Sequence, residues 1–99
     1  VKRQLLTALL ALPGLAAAAT HTVVIEDMKF HPTALTVKAG DKVVWHNKDI
    51  APHTATAAGR FDSKNIAGGK SWSWTATGKG RHDYVCTYHL GMKATVTVE

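Results

Sequence analysis

Sulfur is scarce in this chain: its 99 residues hold one cysteine, Cys86, and two methionines, Met28 and Met92. A single cysteine excludes an intrachain disulfide, and in an exported chain it needs an explanation as an intermolecular bridge, a free thiol or a metal ligand. Acidic residues are also few, 7 against 12 lysines and arginines, for a net charge of +5 with histidines neutral. The basic residues form no run. Lys29, Lys38, Lys42, Lys48, Lys64, Lys70, Lys79 and Lys93 stand singly, as on a solvated surface and unlike the basic, aromatic-interleaved stretches that bind nucleic acid. Nucleic acid is therefore not an expected partner. No apolar stretch reaches the roughly 20 residues of a membrane span. A Ser/His/Asp set, a phosphate loop and paired carboxylates are lacking too, which argues against an enzyme.

The first nineteen residues differ in character from the rest. Lys2 and Arg3 precede an apolar stretch from Leu5 to Leu12, a break at Pro13-Gly14 and the small-residue run Ala16 to Ala19. That order is the pattern of a secretory signal peptide, with A-x-A choices for cleavage. A membrane anchor is the alternative, but the stretch is short and interrupted. Residues 1–19 are thus read as a signal peptide and 20–99 as one exported, periplasmic or similarly located domain, with no stable membrane insertion after cleavage. With Lys2 and Arg3 set aside, the 12 basic residues fall to ten against 7 acidic ones, a mildly basic surface suited at most to an acidic face on a protein partner.

Apolar residues recur with period two through most of the remainder, the signature of half-buried strands. Thr22 to Ile25 starts the pattern, and Leu35 and Val37 alternate with Thr36 and Lys38 before a turn at Ala39-Gly40-Asp41. Val43, Trp45 and Asn47 share one strand face, taken as core. A strand over 54–58 leads into a glycine-rich, polar loop over 59–69, where Phe61 and Ile66 are expected to pin the chain to the body. Trp72, Trp74 and Ala76 point inward between Ser71, Ser73, Thr75 and Thr77. His82, Tyr84 and Cys86 share a side, and Val96 and Val98 face inward in the last strand. About seven short strands with regular turns and no helical window predict an all-β, antiparallel β-sandwich.

Chemistry concentrates in Cys86-Thr87-Tyr88-His89-Leu90-Gly91-Met92 and in Pro52-His53-Thr54. A thiolate, two imidazoles and a thioether suit copper as it cycles between oxidation states, because soft sulfur favours Cu(I) and imidazole nitrogen holds Cu(II). His53, Cys86 and His89 are assigned as strong ligands and Met92 as a long axial one. The other histidines are surface or structural: His46 on an outward face, His31 before Pro32, and His82 too far along its strand to ligate. Cleavage after Ala18 would leave Ala19-Thr20-His21, a tripeptide able to chelate Cu(II) in a square plane. Trp45, Trp72 and Trp74 are expected in the core, and so is Met28, for which a place lining the copper end is the alternative. Two cross-links between the ligand loops are anticipated, the Thr54 amide donating to the Cys86 sulfur and the Thr87 hydroxyl joining the loops.

Taken together, Phe30-x-Pro32, Leu35-Thr36-Val37-Lys38-Ala39-Gly40-Asp41, Val44-Trp45-x-Asn47, Pro52-His53-Thr54, Phe61-Asp62-Ser63, Cys86-Thr87-x-His89-x-x-Met92 and Thr95-Val96-Thr97-Val98-Glu99 resemble the cupredoxins, the small blue-copper proteins that include amicyanin, plastocyanin and pseudoazurin. The resemblance implies a Greek-key sandwich, a single copper ion and a monomer that shuttles single electrons between redox proteins, docking near His89, Leu90, Gly91 and Pro52. A copper-binding or copper-delivery module is the alternative. The chain departs from the family pattern at Leu90, where proline is common, at Thr54, where asparagine is common, and at His82, where an aromatic residue is usual.

Overall fold

The computed structural model describes residues 17–99; the signal-peptide assignment for 1–19 falls almost wholly outside them. Among the described residues nine strands make two sheets: β1 (Thr20–Glu26), β2 (Lys29–His31), β3 (Ala34–Val37), β4 (Lys42–Asn47), β5 (Thr56–Ala57), β6 (Phe61–Asp62), β7 (Ser71–Thr75), β8 (Gly80–Val85) and β9 (Lys93–Val98). One sheet has the order β2-β1-β4-β7 and the other β3-β9-β8-β5-β6. The neighbours β1/β2, β4/β7, β5/β6, β5/β8 and β8/β9 are antiparallel, whereas β1/β4 and β3/β9 run parallel. Local alternation is the same for both directions of pairing, so the two parallel seams and the short strands β2 and β6 carry no signal of their own in the sequence.

The alternation sorts the core as expected. Val23 and Ile25 of β1, Val43 and Trp45 of β4, Tyr84 of β8, and Val96 and Val98 of β9 are buried between the sheets. Trp45 sits at the centre, its ring 5.3 Å from Phe61, 5.4 Å from Tyr84 and 5.5 Å from Trp72. Phe61 and Ile66 are buried and pin the long loop. Trp72 and Trp74 are only half-buried because β7 is an edge strand, though both pack on the core. His82 is buried at the end remote from Cys86, and its Nε2–H donates to the Gly78 carbonyl.

One placement differs from expectation. Met28 is exposed, because β1 and β2 are joined by a two-residue turn in which Asp27 (φ 57°) and Met28 (φ 61°) are both left-handed. That conformation costs an ordinary residue about 1–2 kcal/mol and lifts the Met28 side chain off the core. The Asp27-Met28 pair also lacks the Asn-Gly signature by which such turns are recognised. At the other end of β1, the Ala19 amide and the His21 Nε2–H each donate to the Asp41 carboxylate at 2.9 Å, which anchors the start of the strand.

Asp41 accepts from the Lys38 amide as well, at 3.0 Å. The His21 side chain and the Lys38 and Ala19 amides lower its pKa from 3.8 to about 2. Since the folded state holds the lower pKa, the stabilisation is complete above about 3.8 and disappears as pH falls through about 2. Asp41→Asn is expected to unfold at lower denaturant concentration than wild type at pH 6, with the gap closing by pH 2; urea titrations across that range measure it.

Candidate metal centre

His53 lies between β4 and β5, Cys86 directly follows β8, His89 occupies the β8–β9 loop and Met92 precedes β9. Sheet pairing helps bring these segments together, since β5 is hydrogen-bonded to β8 and β8 to β9. Within the ligand loop, the Cys86 amide donates to the Met92 carbonyl at 3.0 Å, His89 N–H to Cys86 C=O at 3.3 Å and Met92 N–H to His89 C=O at 3.3 Å. The loop therefore closes tightly on itself, with Gly91 in the left-handed conformation at φ 86° where a side chain would be strained.

One donor atom from each of His53, Cys86 and His89 lies within 4.8 Å of the other two. Cys86 Sγ is 3.7 Å from His53 Nδ1 and 3.4 Å from His89 Nδ1. Two donors bonded to one ion at about 2.0–2.3 Å, with angles of about 109–120° between them, stand roughly 3.5–3.8 Å apart, so the spacing fits a single metal. His53 is 0 %, Cys86 3 % and Met92 4 % exposed, while His89 is half-buried. A buried thiol facing two imidazole nitrogens, with the buried Met92 on the same ligand loop, is a donor set for a copper ion.

Bonds from outside the set hold His53 and Cys86. The His53 Nε2–H donates to Asp49 Oδ2 at 2.8 Å, which fixes the tautomer and turns the Nδ1 lone pair toward Cys86. Asp49 also accepts from the Asp27 and Met28 amides at 2.8 and 3.0 Å. Burial pulls the Asp49 carboxyl upward, but the Met28 amide, the His53 ring and the Asp27 amide hold it below the usual carboxylate range. The His53 backbone pairs with Ile66 in both directions, at 3.1 and 2.7 Å. Gly68 lies under this segment so closely that a β-carbon there would sit 2.6 Å from the Asp49 carbonyl oxygen. Asn47, the last residue of β4, bonds the Ala51 and Ile66 carbonyls.

The anticipated link from the Thr54 amide to Cys86 Sγ is present at 3.4 Å. The loop cross-link is present too, but it centres on Thr54 more than on Thr87: Thr54 Oγ1 accepts from the Thr87 amide at 2.9 Å and lies 3.2 Å from the Thr87 hydroxyl. Asp49 was not singled out in the sequence. The only cue was an acid four residues before His53, and its role depends on the β1–β2 turn that delivers two amides to it.

Residues 4–98 match the family model described as a cupredoxin-like domain. The chain belongs to the cupredoxin family. Among curated proteins, this cupredoxin is 34 % identical over 90 residues to amicyanin-alpha of Methylorubrum extorquens, covering 85 % of the chain and 76 % of that protein. It is 36 % identical over 81 residues to amicyanin of Paracoccus denitrificans, spanning 76 % of the chain and 62 % of the relative. Plastocyanin of Scenedesmus fuscus is 34 % identical over 85 residues, 71 % of the chain and 86 % of that protein. Among solved structures, a Cu(I) form of an amicyanin mutant superposes with a TM-score of 0.75 at 34 % identity, covering 86 % of this chain and 87 % of that one. An oxidised amicyanin mutant gives 0.74 at 33 % identity, over 80 % and 81 %.

Two substitutions test the supports around the donors. Asp49→Ala removes the partner of the His53 ring and is expected to weaken copper binding about 10- to 100-fold, as loss of a ligand's orienting partner commonly does; competition against a chelator of known affinity measures it. Thr54→Val keeps the shape but leaves the Thr87 amide without its acceptor. The apoprotein is expected to lose about 1–3 kcal/mol in denaturant unfolding.

Proposed function

We propose that this cupredoxin is an exported, monomeric electron carrier that holds one copper ion through His53, Cys86, His89 and Met92 and passes single electrons between redox proteins. The observation that carries the reading is the convergence of one thiol and two imidazole nitrogens within 4.8 Å, with Met92 buried at the end of the same loop. When bound, copper supplies a reversible one-electron Cu(II)/Cu(I) couple. The chain's part is to keep the donors where they are. Cys86 is fixed at the end of β8 and by the Thr54 amide; His53 is fixed by Asp49 and Ile66. Donors held by bonds that do not involve the metal need move little when its charge changes. Burial of His53, Cys86 and Met92 excludes water, and the Thr54 amide directed at the thiolate sulfur stabilises its negative charge.

His89 is the one donor with part of its surface open to solvent. Leu90 beside it is fully exposed and Tyr88 is 49 % exposed, and Gly91 and Pro52 are exposed as well. An apolar rim of this kind suits brief, small-area docking, the mode of redox encounters. Electron entry and exit are therefore assigned to the His89 edge, with partners seated on Leu90, Gly91 and Pro52. Among the described residues no helix is long and apolar enough to cross a membrane.

Cu(II) added to the purified domain is expected to bind at one equivalent and give an intense visible copper–thiolate absorption, with reversible one-electron voltammetry. Cys86→Ser is expected to abolish the absorption. A colourless Cu(II) protein, or an unchanged spectrum in the variant, would contradict the assignment.

A further inference from the structure

All three sulfur atoms of the chain lie at one end of the sandwich. Cys86 and Met92 are buried donors; Met28 is 42 % exposed, on the β1–β2 turn whose amide bonds Asp49, the partner of His53. Met28 also lines a surface depression of about 660 Å³ together with Tyr88, His89, Leu90 and Met92. An ion has few ways in. His53, Cys86 and Met92 are at most 4 % exposed, so the half-buried His89 marks the route, and the depression that carries Met28 opens onto it.

The placement of Met28 is itself unusual. A long apolar side chain gains nothing from water, and a left-handed backbone is rarely adopted by methionine; the turn would form more easily with asparagine or glycine. What the residue offers at that point is a soft, polarisable thioether on a flexible stem.

We propose that Met28 is an entry ligand for Cu(I): its thioether takes the ion from a donor at the rim of the depression and hands it to His89 and Met92, from which it reaches Cys86 and His53. This rests on the assignment of the four-residue copper site. Each step is ligand exchange at constant oxidation state. The donor's ligand is displaced, the Met28 sulfur–copper bond forms and then breaks as the inner donors bind, and the Cys86 thiol proton leaves to solvent.

Thioether favours Cu(I) and not Cu(II), which gives the test its control. Wild-type apoprotein and Met28→Leu are mixed anaerobically with Cu(I) held by bicinchoninate, and loss of the coloured chelate is followed by stopped flow. Loading of the variant is expected to slow about tenfold, equivalent to about 1.4 kcal/mol lost from the encounter. Its final Cu(I) affinity, its oxidised spectrum and its rate of loading with Cu(II) are expected to match wild type. Leu90→Ala, on the same rim but without sulfur, should load normally. Equal Cu(I) rates in wild type and Met28→Leu would overturn the proposal, as would equal slowing with Cu(I) and Cu(II), which would make Met28 a steric wall. A wild-type protein that never develops copper–thiolate absorption would overturn the site assignment itself, and the entry role with it.

Discussion

The hydroxyl of Thr54 holds together two segments that the chain brings from opposite sides of the structure. One segment leaves β4 and carries His53; the other leaves β8 and carries Cys86, His89 and Met92. Thr54 Oγ1 takes the Thr87 amide, and the Thr54 backbone amide reaches Cys86 Sγ. One 2 %-exposed residue thus sets the spacing between the first histidine and the thiol. Inside a protein such bonds are strong and their loss leaves buried groups without partners. The sandwich adds one strand contact between the two segments, the β5–β8 pairing of Thr56 with Val85.

A second chain of support runs outward from His53. Its ring bonds Asp49, and Asp49 is held by the two amides of the left-handed β1–β2 turn. The absence of a β-carbon at Gly68 lets the Asp49–Ile50 backbone settle at that distance. Ligand orientation therefore depends on a hairpin turn with no ligand of its own. The same turn presents Met28 to solvent, so the device that steadies the buried imidazole also places the third sulfur at the surface.

Much of this was legible in the sequence, for a simple reason. Strand alternation is local, so Val43/Trp45/Asn47, His82/Tyr84/Cys86 and Val96/Val98 declare their inward faces without knowledge of the partner strands. The metal-ligating types sit close together in Cys86, His89 and Met92, and only His53 is remote. Pairing direction is not local: nothing in the composition of β1 or β3 distinguishes the parallel seams with β4 and β9 from antiparallel ones. Asp49 was missed, and Met28 was assigned to the core over the copper end, through one shared cause. Both depend on a tight turn written as Asp27-Met28, without the glycine or asparagine that would have announced it.

The central claim is that the donors are in place before any metal arrives. Crystal structures of the apoprotein and of its Cu(II) and Cu(I) forms test it most directly. Preorganisation predicts that Cys86 Sγ, His53 Nδ1 and His89 Nδ1 keep their separations of 3.7 and 3.4 Å to within about 0.5 Å in all three, with the bonds from Thr54 to Thr87 and from His53 to Asp49 intact. Ligand loops that stand apart in the apoprotein and close only around the ion would contradict it.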